Sequence, residues 1–408
     1  AMGVVKFDLL ALGALNALHL SVDAISEAHG IDIDLATIPQ EPVVYEMLTR
    51  ADTVGVFQVE SRAQMATLPR MKPRTFYDLA VEVALIRPGP IQGQSVHPYL
   101  RRRSGEEPVR YIHPAAEPIL RKTLGVPIFQ EQLMEIARVC AGFTPGQSDR
   151  LRQAMTHKRS DEEMAKLRDE VYEGMSAKGI TGQPADELWE KLQGFASFGF
   201  PESHSVSFAY IVYAAAWLKY HWPTEFFAGL LNAQPMGFYS PNSLVADALH
   251  HGVVVLPPDV NLSIHDCTIE RIDTEEDDLA EYLGMAWRRG RGAADDPIRS
   301  SVALRLGLRY VRNLGEAEVT RIEAARFTGG MFTSLEDFAQ RTGRSVDAHE
   351  GLAAAGAFQA FGVGKREGIW HAGGLGDLGP GRLALEDRSS RPDLTPMDGP
   401  ERMQADLW

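Results

Sequence analysis

The stretch Val206–Leu218 reads VSFAYIVYAAAWL, and nearly all of its residues are apolar. It is too short to cross a bilayer, so it predicts a helix that is buried in the core of a folded domain. Helical patterns also cover Gln130–Ala141 and Asp161–Lys178, whereas Val253–Leu256 and Leu304–Leu308 are short and strand-like. The sequence therefore predicts a mainly α fold with small β elements.

The composition indicates a multi-domain protein without a membrane span. The chain has 408 residues, of which 44% are hydrophobic and 24% are charged, and it contains no apolar run of membrane-spanning length. Its two cysteines, Cys140 and Cys267, are too few for a disulfide framework or a four-thiolate zinc site, which favours the reducing cytoplasm. The sequence opens at Ala1 in what reads as the middle of an element, so we expect part of a longer protein.

Charge is unevenly distributed along the chain. The formal net charge is −14, yet residues 62–159 contain 16 basic and 8 acidic residues, a net of +8. The remaining positions contain 25 basic and 47 acidic residues, a net of −22. A basic region within an acidic chain predicts a local anionic ligand, and an Arg-rich solvated helical surface is the alternative.

Two carboxylate patterns are candidates for metal binding. Lys6-Phe7-Asp8 ends a strand-like run, where alternate residues share a face, and a cation beside a carboxylate suits metal–phosphate chemistry. A surface aspartate is the alternative. Asp32-Ile33-Asp34 also places two carboxylates on one face of a strand, but we expect this segment to be a short solvated strand rather than a metal site.

A set of basic residues is a candidate for phosphate binding. Arg87 precedes the loop Pro88-Gly89-Pro90, and further cations follow at Arg150, Arg152, Lys158 and Arg159. Arg152 and Arg159 are seven residues apart, nearly two helical turns, and therefore share a helix face. Such a stripe can hold a triphosphate or a phosphodiester backbone, and a solvated helix face is the alternative.

Two further motifs predict binding to macromolecules. Val311-Arg312-Asn313-Leu314-Gly315 precedes a helix and fits a helix-hairpin-helix turn, which presents backbone N–H groups to DNA phosphates. Asn313 stands where glycine is usual, and asparagine tolerates the left-handed conformation. An ordinary helix–helix turn is the alternative. The tail contains Gln404, Asp406, Leu407 and Trp408 after a Gly/Pro-rich stretch, which resembles a groove-docking peptide.

Several sequence blocks occur together in a known order. These blocks are Val5–Leu12, Gly55–Ser61, Ala84–Pro90, Pro127–Met134, Asp149–Met155 and Ser203–Ser205. The series closely resembles the bacterial C-family DNA polymerases, the family of the DNA polymerase III α subunit, from residue 3 to about residue 365. Gly199–His204, Asn232–Tyr239 and Pro257–Asn261 are more similar to its error-prone, damage-inducible branch.

The resemblance implies roles for individual residues. In this family a palm with a polymerase-β-like nucleotidyltransferase fold holds two Mg²⁺ ions through three aspartates, and Asp8 matches the third of them. Lys6 matches the lysine beside that carboxylate. Arg87, Arg152 and Lys158 match cations near the incoming nucleotide. Gln153 stands where the family usually has a second arginine.

The resemblance also implies a domain organisation, in which the phosphoesterase-like domain, most of the palm and the thumb have no counterpart. The predicted parts are 1–30, the end of the palm with the third catalytic aspartate; 31–235, fingers; 236–270, a small α/β connection; 271–300, an acidic variable linker; 301–370, a helix-hairpin-helix module; and 371–408, a linker with a clamp-binding-like peptide.

The predicted function is template-directed nucleotidyl transfer by an error-prone DNA-directed DNA polymerase in damage-induced translesion synthesis. The expected partners are primer-template DNA, deoxynucleoside triphosphates, a sliding clamp and other damage-response polymerase components. One carboxylate cannot hold two Mg²⁺ ions, so we expect the chain alone to be inactive. The alternatives are a replicative α subunit and a non-catalytic adaptor for DNA and the clamp. A phosphohydrolase is disfavoured because no His/Asp ligand cluster is visible in the sequence.

Overall fold

A computed structural model describes residues 12–86, 93–156, 161–196, 199–236, 239–272, 302–343 and 346–375. The chain divides into two compact units. We call residues 35–217 the central unit, and residues 1–34 together with 218–408 the terminal unit. The described residues are mostly helical with one small sheet, which confirms the predicted fold class.

The central unit is built from helices and short 3₁₀ turns. Its helices are α2 (Pro42–Thr49), α3 (Arg62–Met71), α4 (Phe76–Leu85), α5 (Gly93–Ser104), α6 (Glu117–Leu120), α7 (Gln130–Ala141), α8 (Pro145–Thr156), α9 (Asp161–Ala177), α10 (Gln183–Ala196) and most of α11 (Glu202–His221). Turns of 3₁₀ helix flank α6, at Pro114–Ala116 and Arg121–Thr123.

Side-chain caps define where the helices of the central unit begin. The Ser61 hydroxyl caps α3 and Thr75 caps α4, and in each case the side chain three residues later bonds back to the cap residue. These reciprocal bonds satisfy backbone N–H groups that a helix start leaves unpaired. Helix α7 ends at Ala141 and is capped by Gly142, whose φ of +69° is a conformation that glycine adopts without strain.

Helices α7–α10 share one hydrophobic core. Leu133, Val171 and Leu188 lie in it, from three different helices, and all are buried. A Cβ atom on Gly174 would lie 1.9 Å from the Ala141 carbonyl oxygen, so only glycine allows α9 to approach the end of α7 this closely. Helix α4 belongs to a second core around Val81, Tyr99 and Phe129.

Helix α11 extends the predicted Val206–Leu218 helix at both ends. It begins at Glu202, whose backbone N–H donates to the Glu131 carboxylate at 2.9 Å. The prediction of a uniformly buried helix was wrong in part, since Val206 is 36% and Tyr210 41% exposed. The remaining apolar residues, such as Val212, pack inward, and one face of the helix reaches solvent.

The terminal unit contains helices, a small sheet and short 3₁₀ turns. Its helices are α1 (Leu12–His29), the last residues of α11, α12 (Pro223–Asn232), α13 (Pro241–His250), α14 (Glu316–Gly329), α15 (Leu335–Thr342), α16 (Val346–Ala354) and α17 (Lys365–Leu375). Its strands are β1 (Val254–Leu256), β2 (Thr268–Arg271) and β3 (Val302–Arg305), and its 3₁₀ turns are Leu308–Tyr310 and Gln359–Phe361.

Helix α12 packs closely on α1. A Cβ atom on Gly229 would lie 2.2 Å from the Ser21 hydroxyl oxygen and 2.6 Å from the Ala17 carbonyl oxygen. Across the same pair of helices, the buried His29 ring lies 2.7 Å from the Glu225 carboxylate. Gly229 on α12 thus allows the two helices to approach closely, and the His29–Glu225 pair joins the end of α1 to the start of α12.

The segment Asp32-Ile33-Asp34 is not a strand, contrary to the prediction. Helix α1 ends at His29, Gly30 takes a φ of +69°, and the next four residues are coil. The Asp32 carboxylate accepts a hydrogen bond from the Ser26 hydroxyl at 2.9 Å. The carboxylate therefore folds back on the end of its own helix instead of facing outward from a strand.

The sheet has the strand order β1-β3-β2, with β3 buried in the centre. Strand β1 pairs with β3 in parallel, and β2 pairs with it antiparallel. Arg305 on β3 forms two 2.7 Å bonds to the carboxylate of Glu270 on β2. This bidentate pair joins residues that lie diagonally across the ladder, so it fixes the register.

Candidate nucleotide and nucleic-acid sites

The structure describes only some of the residues that the sequence predicts for function. Arg152, Arg312, Asn313 and Gly315 lie in described segments. Outside the described residues lie Lys6, Asp8, Arg87, Lys158 and the tail residues Gln404, Asp406, Leu407 and Trp408.

Arg152 lies on α8 and forms an ion pair within its own helix. Its guanidinium contacts the Asp149 Oδ1 at 2.9 Å through Nε and at 2.8 Å through a terminal nitrogen. The side chain remains 38% exposed, so an anion from solvent can reach it. The second Asp149 oxygen accepts a hydrogen bond from the Gln153 side-chain amide at 2.7 Å. Asp149 therefore orients Arg152 and Gln153 together.

The backbone that leads to residue 87 is attached to helix α3. The side-chain amide of Gln64 donates to the Ile86 carbonyl oxygen at 3.4 Å, and its oxygen accepts from the Ser61 hydroxyl at 2.7 Å. Gln64 is buried, so these bonds are shielded from water. The last described residue before Arg87 is thus tied to the start of α3.

The predicted hairpin has the expected turn geometry. Asn313 has a φ of +59°, which confirms that asparagine supports the left-handed turn, while Val311 and Leu314 are buried. Arg312 and Asn313 are exposed. A Cβ atom on Gly351 would lie 2.2 Å from the Arg312 carbonyl oxygen, so helix α16 packs directly on the hairpin backbone. The hairpin is therefore a supported turn with an exposed tip.

The hairpin donor that the sequence predicts for phosphate already has an anionic partner. The Gly315 backbone N–H donates to a Glu318 carboxylate oxygen at 3.0 Å. Glu316 and Glu318 both lie in the first turn of α14, where carboxylates complement the helix dipole. A DNA phosphate would have to replace Glu318 at this N–H. This contact was not predicted, although a glutamate three residues after a helix cap is a recognised signal.

A second glycine turn was also missed. Gly362, with a φ of +71°, and Gly364 precede α17, whose first two residues are Lys365 and Arg366. The pattern Gly-Val-Gly followed by two cations was visible in the sequence and resembles the first hairpin. The helix after this second turn begins with two positive side chains, whereas the helix after the first turn has Glu316 and Glu318 in its first turn.

Two acidic side chains of the central unit are held in a protonation state unusual for neutral pH. Glu82 is fully buried, and neither carboxyl oxygen has a hydrogen-bond partner among the described residues. Burial raises the pKa of Glu82 to about 8. Burial also raises the pKa of Glu60 to about 7, although a hydrogen bond from the Gly55 backbone works against it. Both groups accept protons near neutrality.

His204 is packed against aromatic rings. Its ring centroid lies 4.4 Å from that of Phe208 and 5.3 Å from that of Phe200. These contacts orient an exposed histidine ring in the first turn of α11. Within the described segments, no helix is both long enough and apolar enough to span a membrane.

Two regions of the chain match models of known protein families. Residues 14–179 match the family model described as the bacterial DNA polymerase III alpha subunit finger domain. Residues 252–368 match the model described as a helix-hairpin-helix motif, and this range contains both glycine turns. In these two regions the chain is similar to the bacterial C-family DNA polymerases, as its sequence blocks predict.

Individual relatives are similar to the chain along its whole length. It is 53% identical over 411 residues to the error-prone DNA polymerase of Mycolicibacterium paratuberculosis and, over the same length, to that of Mycobacterium tuberculosis H37Rv. It is 50% identical over 422 residues to the error-prone DNA polymerase of Nocardia farcinica. Each alignment covers 100% of this chain, and the chain spans 34–35% of the length of these relatives.

Proposed function

We propose that the chain provides the nucleotide-binding fingers and a DNA-binding module of an error-prone DNA-directed DNA polymerase that acts in damage-induced translesion synthesis. The observation that carries this proposal is the identity of 53% along the whole chain to error-prone DNA polymerases. The match to a finger domain over residues 14–179 supports it. In this proposal residues 31–235 serve as fingers and residues 301–370 as the helix-hairpin-helix module.

The fingers would hold the incoming deoxynucleoside triphosphate. Arg87, Arg152 and Lys158 would contact its phosphate oxygens, because fixed cations stabilise the charge that develops on a leaving pyrophosphate. Arg152 is partly exposed and oriented by Asp149, so its guanidinium can exchange the carboxylate for a phosphate without leaving its helix face. Gln153 can orient Asp149 but adds no positive charge.

Magnesium binding would depend on Asp8. Two Mg²⁺ ions, when bound, would stabilise the attacking primer oxygen and the leaving oxygen. Asp8, with Lys6 beside it, offers one carboxylate, and a two-metal site needs further bridging carboxylates. We infer that the rest of the polymerase supplies them and that the chain alone is inactive.

The hairpin residues Arg312, Asn313 and Gly315 would contact the DNA backbone, and the tail residues Gln404, Asp406, Leu407 and Trp408 would contact a sliding clamp. The polymerase would act in the cytoplasm on primer-template DNA with other damage-response components. The first alternative is a replicative α subunit. It is less favoured because the three relatives described, which are 50–53% identical to this chain, are error-prone DNA polymerases. The second alternative is a non-catalytic DNA and clamp adaptor.

Primer extension by the full-length polymerase that contains this chain tests the proposal. We expect metal-dependent incorporation, including opposite a template lesion, that is lost on Asp8→Ala substitution. Lesion bypass without dependence on Asp8 would contradict the catalytic role. The adaptor alternative predicts that salt-sensitive duplex binding survives deletion of residues 1–160 and that no incorporation occurs.

A further inference from the structure

A basic loop on the central unit has no role in the function proposed above. Residues 61–77 contain Arg62, Arg70, Lys72 and Arg74 and no acidic residue. The last three lie within five residues, where α3 ends and before α4 begins, and all three are exposed. We call residues 70–74 the basic loop.

An internal clamp fixes the backbone of the basic loop. The Arg103 guanidinium donates to the Met71 carbonyl oxygen, to the Lys72 carbonyl oxygen at 3.0 Å and to the Asp78 carboxylate at 2.6 Å. The other Asp78 oxygen accepts from the Arg74 backbone N–H at 2.8 Å. Arg103 and Asp78 are largely buried. The loop conformation thus depends on Arg103 and Asp78 and not on its own cationic side chains.

Arg103 and Asp78 pair with each other and not with the cationic side chains of the basic loop. Burial alone would raise the pKa of Asp78, but hydrogen bonds from Arg103 and from the Arg74 backbone lower it overall, so the carboxylate stays charged against Arg103. Within the described segments, Arg70, Lys72 and Arg74 form no ion pair with a carboxylate. Among the described residues, the basic loop therefore presents three cationic side chains without a carboxylate partner, on a backbone that Arg103 and Asp78 hold in place.

The spacing of these charges suits a repeating polyanion. Three exposed cations at alternate positions, from the last turn of α3 into the segment that follows it, can each take a separate phosphate of one strand. Contacts of this kind position a protein on nucleic acid without reading sequence. We propose that Arg70, Lys72 and Arg74 form a contact for the phosphodiester backbone of DNA on the central unit. This inference rests on the proposed function, which supplies DNA as the polyanion.

Salt-dependent DNA binding by the 408-residue chain tests the proposal. We would compare the wild type with the triple variant R70S/K72S/R74S by fluorescence anisotropy, on single-stranded and on duplex DNA. Each lost phosphate contact lowers the slope of log affinity against log salt by about 0.7 on single strands and about 0.9 on duplex. We expect the slope to fall by about 2 to 3 on the DNA form that the loop contacts.

Matched variants separate a local contact from bulk charge. K166S/K178S/K191S removes three exposed lysines from the same unit and changes the net charge equally, so its slope should stay at the wild-type value. R70K/R74K keeps the charges of the loop and should also keep the slope. Circular dichroism and thermal unfolding would verify that the variants fold, as expected since Arg103 and Asp78 are retained.

Each contrary outcome has a defined meaning. An unchanged slope in R70S/K72S/R74S, or an equal loss in the lysine control, would overturn the basic-loop inference and leave the proposed function standing. Equal competition by polyglutamate would point to an acidic peptide instead and would also overturn it. A wild-type chain without salt-dependent DNA binding would contradict both this inference and the DNA-binding part of the proposed function.

Discussion

The carboxyl group of Glu82 is held inside the central unit without a hydrogen-bond partner among the described residues. Its pKa is raised to about 8 by burial, so the folded chain keeps a proton that the unfolded chain releases at the ordinary value near 4.5. The folded state binds more protons in this window, and its stability therefore falls as pH rises from about 4.5 through 8. The steepest slope for one group is about 1.4 kcal/mol per pH unit.

Glu82→Gln should reduce this pH dependence, since glutamine has nearly the same shape and cannot ionise. We expect the difference in melting temperature between pH 5.5 and pH 8.5 to be smaller in the variant than in the wild type. Glu173→Gln, on the exposed surface of α9, is the control and should leave the difference unchanged. Equal pH profiles for Glu82→Gln and the wild type would show that the carboxyl group is ionised in the fold.

Arg152 is predicted to act on the nucleotide. Arg152→Ala in the full-length polymerase should raise the KM for nucleotide by about 10- to 100-fold, because a charge-assisted bond to phosphate contributes about 1.5–3 kcal/mol. DNA affinity should change much less. Steady-state primer extension gives KM, and anisotropy gives DNA affinity. Equal losses in both would assign Arg152 to the template instead.

At the scale of elements, the first hairpin combines a turn that we propose to bind DNA with a helix start that carries two glutamates. Glu318→Gln should strengthen duplex binding about two- to fivefold at low salt, because a charge near a helix terminus contributes about 0.3–1 kcal/mol. Glutamine can retain the bond to the Gly315 N–H, so helix α14 should keep its cap.

Duplex titration of the 408-residue chain measures this effect. Glu336→Gln is the control, because Glu336 lies in the first turn of α15 and is exposed. If Glu336→Gln raised the affinity for duplex DNA as much as Glu318→Gln does, the overall charge of the chain, and not the occupied Gly315 N–H, would limit binding. No gain for Glu318→Gln would argue that DNA does not contact the Gly315 N–H.

The close approach of α12 to α1 leads to a prediction about stability. Gly229→Ala should destabilise the chain by about 1–3 kcal/mol, because the added methyl group meets the Ser21 hydroxyl and the Ala17 carbonyl oxygen. Thermal unfolding would measure the loss. Gly146→Ala, at the start of α8 with nothing near the added atom, should be close to neutral.

The sequence predicts elements best where the signal is local. The bounds Gln130 and Ala141 of α7 were predicted correctly, because a helix-period pattern ends there at a glycine. The prediction of a strand at Asp32-Ile33-Asp34 was wrong, because an alternating pattern alone cannot supply a partner strand. The Asp32 carboxylate accepts a hydrogen bond from Ser26 instead. The exposed side of α11 at Val206 and Tyr210 was missed since an all-apolar run carries no marker of its solvent face.

At the scale of the whole molecule, the functional residues were predicted chiefly by resemblance. Composition indicated only a local anionic ligand, and the roles of Asp8, Arg87 and Arg152 came from the ordered sequence blocks. The clamp that Arg103 forms beneath the basic loop could not be predicted, because it joins residues that are 25 to 32 positions apart. Long-range side-chain contacts of this kind depend on the packed fold.

The share of the relatives that this chain covers leads to a prediction for the chain by itself. It should bind DNA without extending a primer in Mg²⁺ or Mn²⁺, because Asp8 is one carboxylate where a two-metal site needs several. Extension of a radiolabelled primer on a short template measures this. Incorporation that disappears with Asp8→Ala would show that the chain holds a complete active site.

The two bonds between Arg305 and Glu270 have a practical consequence. They fix neighbouring strands whose sequences are separated by residues 272–301, so the alignment of the strands does not depend on the length of that connection. An epitope or a fluorescent label grafted into that connection should therefore leave the pairing of β2 with β3 undisturbed.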